Sequence, residues 1–254
     1  MSIAYGRLAA LGRAELTLLA RNKNNLFIAL LMPVAMISVL RSSLSGIGPG
    51  DLPMGAGAAT MIGGTGMVLI LVVYMALVSA FTARREELVL KRLRTGEATD
   101  LEILAGGSLP AVVLALLQVL LLTAGGAIVL GLGAPEQPLL LVAGLVVAVV
   151  LLVPAAALTT AITRNVESAG ITTLPFFLLS AIGSGMMLPT DVLPDRVADV
   201  CELLPLSGAM QLIRAGWTGG TGAGELLGAA LTALAWIVIT VFAVRRWFRW
   251  EPRR

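Results

Sequence analysis

The chain has 254 residues, of which 57% are hydrophobic and only 13% charged; a soluble domain carries roughly 25% charged residues. That balance excludes an ordinary soluble core and predicts an all-α, polytopic membrane protein. Histidine is absent and Cys201 is the single cysteine, so the commonest metal ligand, the commonest general base and an intrachain disulfide are all excluded.

Residues 2–22 read as an amphipathic helix. Tyr5, Leu8, Leu11, Leu16, Leu18 and Leu19 fall on one arc of a helical wheel, and Ser2, Arg7, Arg13, Thr17 and Arg21 on the opposite arc, with Glu15 the misfit. Such a helix lies in the membrane interface. No short apolar region with a small-residue cleavage site follows Arg7 and Arg13, so no cleaved signal peptide is expected.

Six uncharged runs are then expected to span: 24–40, 54–82, 103–132, 139–163, 170–189 and 226–244. A span needs about 20 apolar residues, so the first and last are close to the minimum. Pro33 and Pro154 each remove a helical hydrogen bond and are expected to kink their spans. Gly55, Gly57, Gly63, Gly64 and Gly66 give the second run a face that a neighbouring helix can approach closely.

Between the second and third runs lies the most densely charged internal segment, Ala83 to Leu104, ARREELVLKRLRTGEATDLEIL. Its residues predict one charged helix over 84–95. Thr95-Gly96 breaks it, because glycine is costly inside a helix. Thr99 and Glu102 have the spacing of a capping box, which starts the next helix. The segment reads either as a handle that something in water can push or as a solvated loop obeying charge topology.

Residues 133–138, GAPEQP, make a tight turn, and 163–170, TRNVESAG, a polar one. Residues 190–217 are expected to form two short helices that dip into one leaflet or lie on it, with Pro194 and Pro205 at their first helical positions and Gly219-Gly220 ending the second. At the C-terminus, Arg245, Arg246, Arg249, Arg253 and Arg254 alternate with Trp247, Phe248 and Trp250. That mixture is an interfacial anchor rather than a nucleic-acid site.

With six spans, both termini share a side with the handle and the 163–170 turn. Fifteen of the 18 Lys and Arg residues fall there, and Arg41, Arg196 and Arg214 fall opposite. The positive-inside rule makes the richer side cytoplasmic. No Asp, Glu, Lys or Arg lies inside any run, although such residues are what proton relays and intramembrane carboxylate chemistry need. Nor does the chain contain a G-x-x-x-x-G-K-[ST] phosphate loop. If it transports, its energy must come from another chain.

The segment Arg84–Gly106, RREELVLKRLRTGEATDLEILAG, resembles the coupling segment of the membrane-spanning permease subunit of bacterial type-2 ABC exporters, which often reads R-E-E-G-T-x-x-R-L-R-x-T-P followed by I-L-x-G. Arg85, Glu86, Glu87, Arg92, Leu93, Arg94, Ile103, Leu104 and Gly106 match. Leu88 stands where glycine is usual and Gly96 where proline is usual. The stretch from Gly185-Met-Met-Leu-Pro189 through Leu193-Pro194 to Leu204-Pro205-Leu206-Ser207 resembles the family's extracellular helical hairpin, and the N-terminal helix also fits.

The resemblance implies a fold of one transmembrane domain, with an interfacial helix (2–22), a coupling helix (84–95) and the extracellular hairpin (190–217). It implies no cofactor and no catalysis on this chain. ATP and magnesium would belong to a partner nucleotide-binding ABC ATPase subunit. A second permease subunit would complete a homodimer in the bacterial cell (inner) membrane, with both termini cytoplasmic and no nucleic acid involved. The residues nominated for contact with the ATPase are Arg84, Arg85, Glu86, Glu87, Lys91, Arg92 and Arg94. Those nominated for the substrate path are Met32, Met36, Met61, Thr65, Tyr74, Phe176, Phe177 and Ser180. An uncharged path suits an amphipathic or hydrophobic cargo: a drug, as in multidrug efflux and antibiotic resistance, a natural product or a lipid-linked molecule. The competing readings are a non-transporting scaffold that anchors a cytoplasmic partner, and a self-contained enzyme or channel.

Overall fold

The computed structural model describes residues 56–96, 99–129, 133–186 and 194–248, Trp250, and scattered positions between Gly12 and Ser42. The expected interfacial helix and first span, with Met32, Met36 and Pro33, otherwise lie outside the described residues, as do residues 187–193.

Among the described residues every regular element is a helix. Numbered from Ala56, α1 (Ala56–Val68) passes through a π-helical stretch (Leu69–Met75) into α2 (Ala76–Glu86), and α3 (Val89–Arg94) follows. After these come α4 (Asp100–Val129), α5 (Pro138–Ile162), α6 (Val166–Gly183), α7 (Asp195–Glu202), α8 (Ser207–Thr218) and α9 (Ala223–Trp247). Among the described residues five segments are long and apolar enough to cross a membrane: Gly57–Glu86, Asp100–Ile128, Pro138–Ile162, Val166–Gly183 and Ala223–Trp247. Leu120, Ile171, Leu231 and Phe242 stand more than half exposed on α4, α6 and α9. In water that much exposed apolar surface would be a liability; facing lipid it is expected.

α5 is the central helix. It packs on α8, α9, α2 and the π-helical stretch, and it buries Leu145, Ala148, Leu151, Leu152, Ala155 and Ala156. The buried residues of the long second helix recur every four positions: Leu69, Val73, Leu77, Phe81 and Arg85, beside Ile70, Tyr74, Val78 and Thr82. A regular helix turns about 100° per residue, so a four-residue repeat would drift around its circumference. The wider π turns rotate less per residue and hold the stripe against α5. Arg85 is the last position of that stripe.

The α7–α8 pair is inserted, not laid on top. The Trp236 indole N–H donates to the Leu203 carbonyl at 2.8 Å, which seats the tip of the hairpin against the middle of α9. α8 then runs back along the start of α5, where the Gln137 N–H donates to the Gly216 carbonyl at 3.0 Å. The prolines act earlier than the sequence suggests, Pro194 by one position and Pro205 by two. Pro194 is the N-cap of α7, and Pro205 precedes Leu206, the N-cap of α8.

Candidate functional site

The charged segment forms an elbow at one end of the bundle. It differs from a single helix over 84–95. α2 continues the span as far as Glu86, the chain turns at Glu87 and Leu88, and α3 starts afresh at Val89. Leu88 has φ 59° and ψ 14°, a left-handed conformation. A Cβ costs roughly 1–2 kcal/mol there. This is the position where the resemblance expects glycine, so the knee keeps its shape against the preference of its side chain. Leu88→Gly is expected to raise stability by about 0.5–1 kcal/mol, the relief of that strain less the backbone entropy of glycine. Leu88→Val, branched at Cβ, should lower it. Thermal unfolding of the purified variants checks both, and a less stable glycine variant would contradict the assigned backbone.

Beyond α3 the capping box is formed. The Thr99 N–H donates to the Glu102 carboxylate at 2.7 Å, and the Glu102 N–H donates to the Thr99 hydroxyl at 3.3 Å. Two donors at the start of α4 are thereby satisfied. Arg94 Nε donates to Asp100 Oδ1 at 3.1 Å across the turn. The Arg94 guanidinium also lies 5.0 Å from the ring centroid of Trp250, a cation–π distance. Phe248 meets Trp250 edge-on at 4.8 Å between centroids. Trp250, with Phe248 against it, is therefore packed on the elbow, while Trp247 is exposed.

The nominated ATPase-contact residues divide by environment. Glu86, Glu87, Lys91, Arg92 and Arg94 are exposed, Arg84 is half-buried and Arg85 is fully buried. Glu86, Glu87 and Arg92 carry no side-chain hydrogen bond or ion pair among the described residues. Arg85 points inward. Its Nη1 donates to the Thr160 carbonyl at 2.5 Å, and its Nη2 to the Thr163 and Arg164 carbonyls at 2.6 and 3.3 Å. These carbonyls lie at the C-terminus of α5, where backbone acceptors lack helical partners and the helix dipole favours a cation. The planar fork of arginine suits several acceptors at once. Arg85 thus fastens the elbow to the α5–α6 turn, where Asn165 caps α6 through a reciprocal pair of bonds with Ser168. The acceptors Thr160 and Thr163 had no distinguishing signal of their own, and the phase that turns Arg85 inward depends on the π turns at Leu69–Met75.

The nominated path residues are also distributed. Met61, Thr65, Tyr74 and Ser180 are buried, and Phe176 and Phe177 are half-buried. The Tyr74 hydroxyl shares a hydrogen bond with Thr159 at 2.9 Å, and its ring lies 4.5 Å from Phe176 between centroids. Tyr74 thus joins the π-helical stretch to α5 and α6. Thr159 was not singled out by the sequence.

The five membrane-length apolar helices among the described residues, carrying a charged elbow, define a multi-pass membrane protein. Residues 7–217 match the family model of the ABC-2 type transporter. The chain belongs to that family, as a transmembrane subunit, and the family implies an ATP-binding partner. No match is found among curated proteins.

Proposed function

We propose that the chain is the permease subunit of an ATP-driven exporter for an amphipathic or hydrophobic cargo, paired with a second copy of itself in the bacterial inner membrane. In this reading the elbow is cytoplasmic, as are both termini, and α3 docks on the nucleotide-binding subunit. ATP and magnesium bind there, and this chain supplies the path. The observation that carries the reading is the two-sided character of the elbow. Glu86, Glu87 and Arg92 offer charge outward with no partner among the described residues, while Arg85 reaches inward to α5. A push on α3 would thus reach α2, α4 and the α5–α6 turn as one unit. Phe176 and Phe177, half-buried beside the exposed apolar face of α6, are the nominated residues best placed to meet cargo between two copies.

The test is to purify the complex and exchange the charges. Glu87→Arg with Arg92→Glu is expected to leave insertion intact and to uncouple ATP hydrolysis from transport. A partner ATPase that never copurifies, or full transport by the double variant, would refute the docking assignment and favour a scaffold.

A further inference from the structure

None of the expected spans contains an acidic residue, yet the inserted hairpin brings one alongside a span. Glu202 ends α7 and adjoins Leu203, whose carbonyl is held by Trp236. Trp236 lies thirteen residues into α9, about 20 Å from the helix start at 1.5 Å per residue. Glu202 is therefore carried well below the polar end of α9.

There it lines a cavity of about 540 Å³ between the hairpin and α9, with Gln211, Arg214, Glu225, Leu226 and Thr232. That volume falls in the range of small-molecule sites. Glu225 stands in the first turn of α9 and Thr232 nearly two turns further in, so the cavity runs from the polar mouth towards the apolar half of the helix. The side chains of Glu202 and Glu225 make no ion pair or hydrogen bond among the described residues, and Arg214, which is engaged, bridges neither. Carboxylates at membrane depth are costly and are kept chiefly for function.

We propose that this cavity binds the ammonium head of an amphiphile, with Glu202 as its deep ion partner and Glu225 as the partner at the mouth. The site needs the membrane fold but not the docking of the elbow. Its ligand chemistry is met by an aminophospholipid or by a free cationic amphiphile.

The test uses the full chain in phosphatidylglycerol nanodiscs and a dodecyltrimethylammonium probe brominated on its tail. Bromine quenches tryptophan, and the Trp236 indole is bonded to the cavity wall at Leu203. Saturable quenching is expected with the cation and not with the brominated alcohol of the same tail. Glu202→Gln should weaken binding about tenfold, the loss of one charged contact. Adding Glu225→Gln should remove the saturable part, and Glu202→Asp should restore some of the affinity. An unchanged far-UV spectrum and melting midpoint show that the variants fold. Phosphatidylethanolamine in the nanodisc competes if the site takes a lipid; saturable, carboxylate-dependent binding without competition supports the site and assigns it to a free amphiphile. Equal quenching by the alcohol, or equal affinity in Glu202→Gln, overturns the proposal. Copurification of the ATPase, scored on the same preparations, reports on the transporter reading separately.

Discussion

Arg85→Met is expected to destabilise the purified protein by about 3 kcal/mol, the scale of removing one partner from a buried charged network. For a chain of this size that corresponds to a fall in melting midpoint of about 6–12 °C. Methionine can replace the stem of the side chain, so the loss isolates the guanidinium. That group donates to the carbonyls of Thr160, Thr163 and Arg164, and all three lose a charged donor together. Arg85→Lys keeps the charge but offers a point rather than a fork, and should recover less than half of the loss. The neighbouring Arg84→Met and Arg92→Met supply the comparison. Arg92 is exposed and should cost less than about 0.5 kcal/mol, as surface charges do. Thermal unfolding in one detergent ranks the four variants. If Arg85→Met melts with the wild type, the inward fork is misplaced, and with it the link between the elbow and α5.

The apolar helices were legible because lipid demands runs of about 20 residues free of charge, and the chain supplies them. The Thr99–Glu102 box was legible because a cap is a local bond between near neighbours. What escaped was phase and depth. Arg84, Arg85 and Glu86 read alike as members of a charged run; only their phase on the helix separates a buried clamp from exposed charges. That phase depends on the π turns at Leu69–Met75, which no residue in LILVVYM announces. The break at Leu88 went unseen for the opposite reason. A leucine favours helix continuation, yet the chain turns there all the same. The same ambiguity of phase applies to Met61, Thr65 and Tyr74, whose burial in the single chain no residue pattern announces. The hairpin was legible as two short helices, but its insertion rests on a bond between Leu203 and Trp236, thirty-three residues apart. That insertion puts Glu202 beside a span from which the sequence alone would exclude all charge.

The insertion has its own expected result, at Gly208. A Cβ at this position of α8 would collide with the Ala229 carbonyl oxygen and lie 3.0 Å from the Ala233 nitrogen, both backbone atoms of α9. On the far side of the wedge, a Cβ at Gly216 would lie 2.5 Å from the Leu141 nitrogen of α5. α8 is thus held between two helices through backbone contact, the use of small residues typical of membrane packing. No rotamer change can relieve such a clash, so a helix must move. Gly208→Ala is expected to cost about 2–3 kcal/mol, the upper part of the range for overpacking, and Gly208→Val more. Gly170 of α6 is the matched control, since a Cβ there meets nothing within 4 Å. Gly170→Ala should be neutral or stabilising by about 0.5 kcal/mol through helix propensity alone. Both substitutions gain the same propensity, so the difference between their melting midpoints measures the packing of α8. It should be accompanied by loss of the saturable quenching assigned to the Glu202 cavity, because α8 forms one wall of it. A Gly208→Ala protein as stable as Gly170→Ala would mean that α8 does not sit between α5 and α9, and the cavity would lose its wall.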